Sequence, residues 1–151
     1  MTTIAANRES IACDRQFTYN GYTKMLGKTK VIRIPEKFSI DLFDDKLVYV
    51  GFCGDAAAWG RAVSWFHDPT SKPPKISGLE MLMLTGTGKL YTTSNDLINW
   101  MPVEDKHWAI GTGMQFAIGA MTTGKTPLEA VKVASKHDTM TGMGFKEYKI
   151  S

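Results

Sequence analysis

The sequence has few cysteines, little excess charge of either sign and no pattern of closely spaced metal ligands. Cys13 and Cys53 are the only cysteines among 151 residues, and the three histidines are scattered. Neither a zinc site nor a disulfide framework is therefore expected, and two reduced thiols are expected instead. The net charge is +3, from 18 Lys and Arg against 15 Asp and Glu. Nucleic-acid-binding proteins usually carry a stronger basic excess or a basic stripe, so that role is not indicated.

Long apolar runs are also missing. No segment approaches the ~20 apolar residues that a membrane span needs, and no apolar run typical of a secretory signal follows the first residues. We expect a cytoplasmic protein, in the host cytoplasm if the source is viral, without membrane contact. The composition, 43% hydrophobic and 22% charged, is that of a globular domain. The length suits one hydrophobic core, so a single domain over residues 1–151 is expected.

Apolar patterning predicts both strands and helices. Strands are expected at residues 2–6, 11–14, 29–34, 46–53, 80–85, 89–93, 107–110 and 145–150. Helices are expected at residues 56–67, 114–122 and from Pro127 onward, the first with Asp55 as its N-cap. Strands and helices do not alternate as βαβ units, and this order predicts an α+β fold.

Residues 119–126 match the GxxxxGK[ST] spacing of a phosphate-binding loop, but their context argues against nucleotide binding. Such a loop follows a buried strand and opens a helix, whereas Gly119 lies inside an expected helix. We interpret Gly124 as the C-cap of that helix, and Thr126 with Glu129 as the capping box of the next one. No cofactor is expected.

The second residue is a threonine, and it becomes N-terminal if Met1 is removed, as is usual before a small residue. Thr2 would then carry a hydroxyl and an α-amine on adjacent carbons, and the amine can accept the hydroxyl proton. A free α-amine has a pKa of ~7.7–8.0, which a neighbouring cation lowers. Many proteins begin Met-Thr by chance, so this residue alone does not indicate an enzyme.

A series of short motifs follows in order along nearly the whole chain. They are Thr-Thr-Ile at residues 2–4, Ala-x-Asp at 12–14, Lys-Val at 30–31, the strand-to-helix turn at 50–57, the hairpin at 84–91, the segment at 95–97, Ala-Ile-Gly-Thr-Gly at 109–113 and Asp-x-x-Thr-Gly at 138–142. Their joint order resembles the proteasome β-subunit and HslV peptidase family, which are N-terminal nucleophile (Ntn) hydrolases. The family has serine where this chain has Thr112 and Thr141.

This resemblance implies a threonine peptidase or amidohydrolase that acts on polypeptides by acyl transfer from Thr2. Lys30 would be the cation that lowers the pKa of the Thr2 amine, and Asp14 would fix Lys30. The Gly54 amide would donate to the oxyanion of the tetrahedral intermediate. The residues implied to orient proton transfers around the Thr2 amine are Thr112, Asp138 and Thr141.

The chain departs from the family in its helical layer. A proline-rich loop follows the helix at residues 56–67, so the second helix of the family's pair is expected to be missing. The implied fold is an αββα four-layer sandwich with a reduced helical layer and insertions at residues 35–43 and 100–106, as in a compact phage-encoded member. The Trp59, Val63 and Phe66 face is expected to be less covered, which favours a homo-oligomer, such as a ring. An ATP-dependent unfoldase is a further implied partner.

The residues leave alternatives open. A relative that retains Met1 would have a blocked Thr2 amine and would serve as a catalytically silent assembly or interaction protein. Independently of Met1, Asp14 and Lys30 could be a surface strand pair, worth under ~1 kcal/mol. Asp138 and Thr141 would form only a capped turn after the last helix.

Overall fold

The structure is a computed structural model that describes residues 2–19, 23–27, 29–36, 41–42, 45–69, 72–94, 97 and 99–151. Met1 and most of the motif at residues 95–97 lie outside these residues, as does part of the expected insertion at 35–43. The strands are β1 (Thr3–Asn7), β2 (Ser10–Asp14), β3 (Gln16–Tyr19), β4 (Thr23–Leu26), β5 (Val31–Arg33), β6 (Asp41–Leu42), β7 (Asp45–Gly54), β8 (Leu79–Thr85), β9 (Leu90–Ser94), β10 (Met101–Val103), β11 (His107–Gly111) and β12 (Phe145–Lys149). The helices are α1 (Ala56–His67), α2 (Met114–Thr122) and α3 (Pro127–His137).

The first sheet is antiparallel, with the strand order β11-β1-β2-β12. Because side chains alternate between the faces of a strand, its small residues share one face, and α2 and α3 pack on that face. Its larger apolar residues point the other way. The small residues of this helix-facing layer are Ala5, Ala12 and Ala109. The larger residues on the opposite face are Ile4, Ile11 and Ile110.

The second sheet has the order β10-β9-β8-β7-β5, and β6 pairs with β7. Strand β8 is buried on both faces. Leu82 and Leu84 pack toward the first sheet, while Met81 and Met83 pack in the core that contains α1. This two-sided burial explains why the strand is a continuous apolar run in the sequence. The layers are therefore α1, sheet, sheet, α2 with α3, and the predicted αββα sandwich is confirmed.

Helix α1 is capped as predicted. Asp55 Oδ1 accepts from the Ala57 amide at 2.9 Å. On the Trp59, Val63 and Phe66 face, which was expected to be less covered, Trp59 and Val63 are only partly buried against the core. Phe66 is fully buried, and its ring lies 5.8 Å from that of Phe52. The apolar stripe faces the second sheet, because that contact removes the most apolar surface from water.

The outer face of α1 is the one left uncovered. The structure describes residues 72–78, between α1 and β8, and they contain no helix, as expected. The exposed residues of this outer face are Ala57, Gly60, Arg61 and Ser64.

No helix among the described residues is long and apolar enough to cross a bilayer.

The sequence analysis missed the β3–β4 hairpin and β10. The hairpin forms a sheet of its own, and its residues show no long apolar run that would indicate a strand. Strand β10 lies in the expected insertion at residues 100–106 and contains Pro102. A proline is tolerated there because β10 is at the edge of the sheet.

The two C-terminal helices match their sequence signals. Thr126 accepts from the Glu129 amide at 3.2 Å, and Glu129 accepts from the Thr126 amide at 3.3 Å, so the predicted capping box is present. Gly119 lies inside α2, as the argument against a phosphate-binding loop required. The C-cap of α2 is Thr123 rather than Gly124, and Gly124 follows it with a φ of +96°.

Candidate active site

Antiparallel pairing brings the start of β1 next to the end of β2. Ile4 lies opposite Cys13, so Thr2, just before β1, lies beside Asp14, the last residue of β2. Lys30 directly precedes β5 in the other sheet, where its carbonyl accepts from the Phe52 amide at 2.9 Å. Since the two sheets pack face to face, the Lys30 side chain reaches the pair from the second layer.

Thr2, Asp14 and Lys30 form a buried cluster. Lys30 Nζ lies 2.5 Å from Thr2 Oγ1 and 3.0 Å from Asp14 Oδ1, and the Thr2 hydroxyl donates to the same Oδ1. The exposed fractions of the three residues are only 2%, 0% and 3%. The alternative of a surface strand pair is therefore wrong, because surface pairs remain solvated. A buried ion pair needs further hydrogen bonds to offset the cost of desolvation.

Backbone amides supply many of those hydrogen bonds. Asp14 accepts from the amides of Thr3 at 3.1 Å, Gln16 at 3.2 Å and Gly142 at 3.1 Å. Burial lowers the pKa of Lys30, and the neighbouring Asp14 carboxylate opposes that shift. The cluster thus holds a cation at hydrogen-bond distance from a hydroxyl, and that cation gives up a proton more readily than an ordinary lysine.

A second cluster surrounds Asp138, which is the C-cap of α3. Its Oδ2 accepts from Thr112 Oγ1 at 2.5 Å and from Thr141 Oγ1 at 2.6 Å, and its Oδ1 accepts from the Met140 amide at 3.1 Å. Burial alone would raise the pKa of Asp138, but these hydrogen bonds outweigh burial and lower it. Asp138 is therefore ionised at neutral pH. The capped turn that the sequence left as an alternative is present, together with the hydroxyl contacts.

The two clusters meet at Thr2 and Thr3. Thr112 Oγ1 lies 3.4 Å from the Thr2 carbonyl oxygen, and the hydroxyls of Thr141 and Thr3 are 2.7 Å apart. Gly111 allows this approach, since its φ is +99° and a Cβ there would collide with the Thr2 carbonyl. The Thr141 hydroxyl thus connects the Asp138 carboxylate to the Thr3 side chain, and the Thr112 hydroxyl that donates to Asp138 lies beside the Thr2 carbonyl.

A cavity of about 230 Å³ opens beside Thr2 and Lys30. Its apolar wall consists of Phe17, Phe52 and Trp59, and the Trp59 ring makes edge contacts with the other two, with centroid distances of 6.4 and 6.3 Å. Gly54, at the end of β7, lies on the same cavity. Its φ is +123°, and a Cβ there would collide with the Gly78 carbonyl, so this turn requires glycine.

Neither cysteine is a competing nucleophile. Cys53 lines the cavity, but burial raises the pKa of its thiol to about 11. Burial also raises the pKa of Cys13. Since the thiolate is the reactive form, burial makes both thiols less reactive than an exposed cysteine. Across the described part of the chain, no group of three or more His, Cys, Asp or Glu side chains could hold a metal ion.

The structure therefore brings the predicted site residues together around Thr2, in two hydrogen-bonded clusters and one cavity. Sequence reasoning missed Gln16, which lies between the clusters, and the aromatic wall of the cavity. Phe17 is in the hairpin that was not predicted. Trp59 was interpreted only as a residue of the α1 face, although its helical spacing from Asp55 placed it near the site.

Comparison with solved structures finds the same architecture. Thiobacillus denitrificans BPH in complex with epoxomicin matches with a TM-score of 0.64 at 15% identity, over 99% of this chain and 98% of that one. Eukaryotic HslV from Trypanosoma brucei matches with a TM-score of 0.66 at 18% identity, over 97% and 98%. The Anbu (Gly-1) mutant from Hyphomicrobium sp. strain MC1 matches with a TM-score of 0.68 at 12% identity, over 100% and 87%.

The sequence itself matches no family model and no curated protein. The structural similarity extends over whole chains at low identity, and what it shows is the fold. The chain has the HslV- and proteasome-like fold of the Ntn hydrolases, as its motifs predicted.

Proposed function

We propose that this protein is a threonine peptidase that cleaves peptide bonds by acyl transfer from Thr2, once Met1 has been removed. The observation that carries the proposal is the buried cluster of Thr2, Asp14 and Lys30 at the wall of a cavity. Burying a lysine and an aspartate costs free energy, and both side chains hydrogen-bond the Thr2 hydroxyl. The HslV-like fold supports the same assignment.

The first half of the reaction acylates the enzyme. Thr2 Oγ1 attacks the carbonyl carbon of the scissile bond while its proton passes to the Thr2 α-amine, directly or through one water. The Gly54 amide donates to the resulting oxyanion, an interaction whose loss typically costs about 2.7–4 kcal/mol in the transition state. The C–N bond then breaks, the amine returns the proton to the leaving nitrogen, and the acyl group remains as an ester on Thr2.

The second half releases the acyl group. A water molecule attacks the ester carbonyl and transfers a proton to the same α-amine. The ester C–O bond breaks, Thr2 Oγ1 regains a proton, and the product leaves as a carboxylic acid. Charged Lys30 keeps the pKa of the amine low enough for it to act as the base in both halves. Thr112, Asp138 and Thr141 orient the amine and its proton transfers through their hydroxyl and carboxylate groups.

The cavity supports a preference for substrates with an apolar side chain next to the scissile bond. Its aromatic wall lies beside the nucleophile, and burial of apolar surface contributes roughly 25 cal/mol per Å². The charge at its base, on Lys30, is already paired with Asp14. Polypeptides with leucine or an aromatic residue before the cleaved bond are thus the substrates that the site fits best.

We propose further that the protein acts as a homo-oligomer. Several large apolar side chains are exposed, and such surface commonly marks contacts between subunits. They are Leu26, Met101, Phe116 and Met143. Light scattering should find an assembly, and a monomer at high micromolar concentration would contradict this. The ATP-dependent unfoldase stays a prediction.

The proposed activity is tested with small fluorogenic peptides. Thr2→Ala should abolish hydrolysis and leave the melting temperature nearly unchanged, whereas Thr2→Ser should retain activity because it keeps both the hydroxyl and the amine. Thr122→Ala, on the exposed side of α2, is the matched control and should behave as wild type. Full activity in Thr2→Ala would refute the mechanism. A folded wild-type protein that retains Met1 and cleaves nothing would instead support the silent assembly protein.

A further inference from the structure

Gln16 contacts both clusters of the site, although no role was predicted for it from the sequence and no step of the proposed mechanism uses it. The residue is 2% exposed. Its main-chain carbonyl accepts from Lys30 Nζ at 2.5 Å, and its main-chain amide donates to Asp14 Oδ2 at 3.2 Å. The backbone of Gln16 therefore helps to fix the ion pair beside Thr2.

The Gln16 side chain extends toward the other cluster. Its Nε2 donates to the Thr139 carbonyl at 2.9 Å and lies 3.2 Å from Thr18 Oγ1. Thr139 belongs to the segment at residues 138–142, which carries Asp138 and Thr141. Buried amide groups are almost always hydrogen-bonded, and this one is bonded to the main chain of the segment that holds the second carboxylate.

The same segment packs closely against Gln16. A Cβ at Gly142 would lie 3.2 Å from Gln16 Oε1, and the Gly142 amide donates to Asp14 Oδ2 at 3.1 Å. Two side chains from this part of the chain, those of Gln16 and Asp14, thus hydrogen-bond the main chain of residues 139–142. The Arg15 amide also donates to the Gly142 carbonyl, at 3.2 Å. Asp14 already belongs to the ion pair, whereas the Gln16 side chain serves this connection and the contact to Thr18.

We propose that Gln16 is a positioning residue, whose amide holds residues 138–142 at the distance from Thr2 that the reaction requires. The inference rests on the proposed function for its effect on rate, but its structural part does not. Loss of the amide would free the Thr139 carbonyl and let the segment move, so that Thr141 and Asp138 would no longer be held against Thr3 and Thr112. Movement of residues 138–142 should slow the chemical step more than it weakens substrate binding. The aromatic wall of the cavity, which would bind the substrate, lies on other elements.

Gln16→Met tests the inference, because it keeps the length of the side chain and every main-chain contact while removing the amide. Gln115→Met, at an exposed position of α2, is the matched control. Amide hydrogen exchange at residues 140–142 should be roughly tenfold faster in Gln16→Met, as expected for loss of one hydrogen bond, and unchanged in the control. In the active enzyme, kcat should fall between about tenfold and 10²-fold with KM nearly unchanged.

A second variant, Gln16→Glu, keeps the shape of the side chain and covers the case in which Gln16→Met does not fold. An ionised carboxylate cannot donate to the Thr139 carbonyl, but a protonated carboxylic acid can. Exchange at residues 140–142 should therefore be faster than in wild type at neutral pH and should approach the wild-type rate as the carboxyl group becomes protonated. A side chain that merely fills space would show no such pH-dependent rescue.

The outcomes separate this inference from the proposed function. Unchanged exchange at residues 140–142 in Gln16→Met or Gln16→Glu would overturn the inference, whatever the activity. Faster exchange with an unchanged kcat would also overturn it, because the segment would then be mobile without effect on the reaction. An inactive wild-type protein would refute the peptidase, and faster exchange would then still support the link between Gln16 and the segment.

Discussion

The two carboxylates of the site are held in different ways. Asp14 is fully buried and accepts from a lysine, a hydroxyl and three backbone amides, whereas Asp138 is partly exposed and accepts from two hydroxyls and one amide. The first carboxylate balances a buried cation, and removing it leaves that cation uncompensated. The second has no cation among the contacts of the described residues, and its hydroxyl partners can each be replaced by water. We infer from this difference that Asp14 would maintain the charge balance of the site. Asp138 would instead orient the hydroxyl groups around Thr2.

Substituting Asp14 should have the largest effect. Asp14→Asn leaves Lys30 buried without its counter-charge, and breaking a buried pair in this way typically costs about 3–5 kcal/mol. Urea denaturation should therefore show a large loss in the free energy of unfolding, together with loss of hydrolysis. Asp138→Asn, measured in parallel, should lose far less. Equal losses in the two variants would contradict the distinction between the carboxylates.

Removal of the Lys30 charge should have the next largest effect, on the pH–rate profile. In the proposed mechanism the Thr2 amine acts as a base only when it is unprotonated, so activity should rise with pH through its pKa, which charged Lys30 would hold below the free value of ~7.7–8.0. Lys30→Met should move this rising limb of the pH–rate profile toward higher pH and lower the rate at neutral pH. Lys30→Arg should lose activity only in part. Circular dichroism should show that the variants fold. An identical limb in wild type and Lys30→Met would exclude Lys30 from the mechanism.

The smallest effect is expected from Asp138, in the pH dependence of stability. Because the pKa of Asp138 is lowered in the folded state, its contribution is present above the unfolded value of ~3.9 and is lost as the pH falls through the folded pKa. At neutral pH, Asp138→Asn should cost about 1 kcal/mol, a value discounted for partial exposure. The difference in the free energy of unfolding between Asp138→Asn and wild type should become smaller in acid. A difference that stays constant from neutral pH to about pH 3 would show that ionised Asp138 does not stabilise the fold.

Local signals predicted most of the fold. The continuous apolar run at β7 and the capping box at Thr126 specify their elements within a few residues, and the structure confirms both. The bounds of helix α1 were also predicted, because its apolar spacing and its Asp55 N-cap are local signals. The β3–β4 hairpin has no such local signal, because its two four-residue strands contain no long apolar run.

The site was predictable only in part, for the same reason. Thr2, Asp14 and Lys30 belong to motifs that can be read along the chain, and the structure brings them together. Gln16 ends the segment at residues 11–16 that resembles the family, but it was given no role, because its contact with Thr139 is 123 positions away. The aromatic cavity likewise combines side chains from three separate elements, and single-sequence patterns carry no information on such combinations.

Whether Thr2 is an N-terminal nucleophile can be tested by intact-mass spectrometry before and after incubation with a short peptide that carries a C-terminal electrophilic group. We expect a starting mass without Met1 and a single covalent adduct that maps to Thr2 and is absent from Thr2→Ala. A protein that retains Met1 and forms no adduct would show that Thr2 does not act as an N-terminal nucleophile. An adduct of equal yield in Thr2→Ala would lead to the same conclusion.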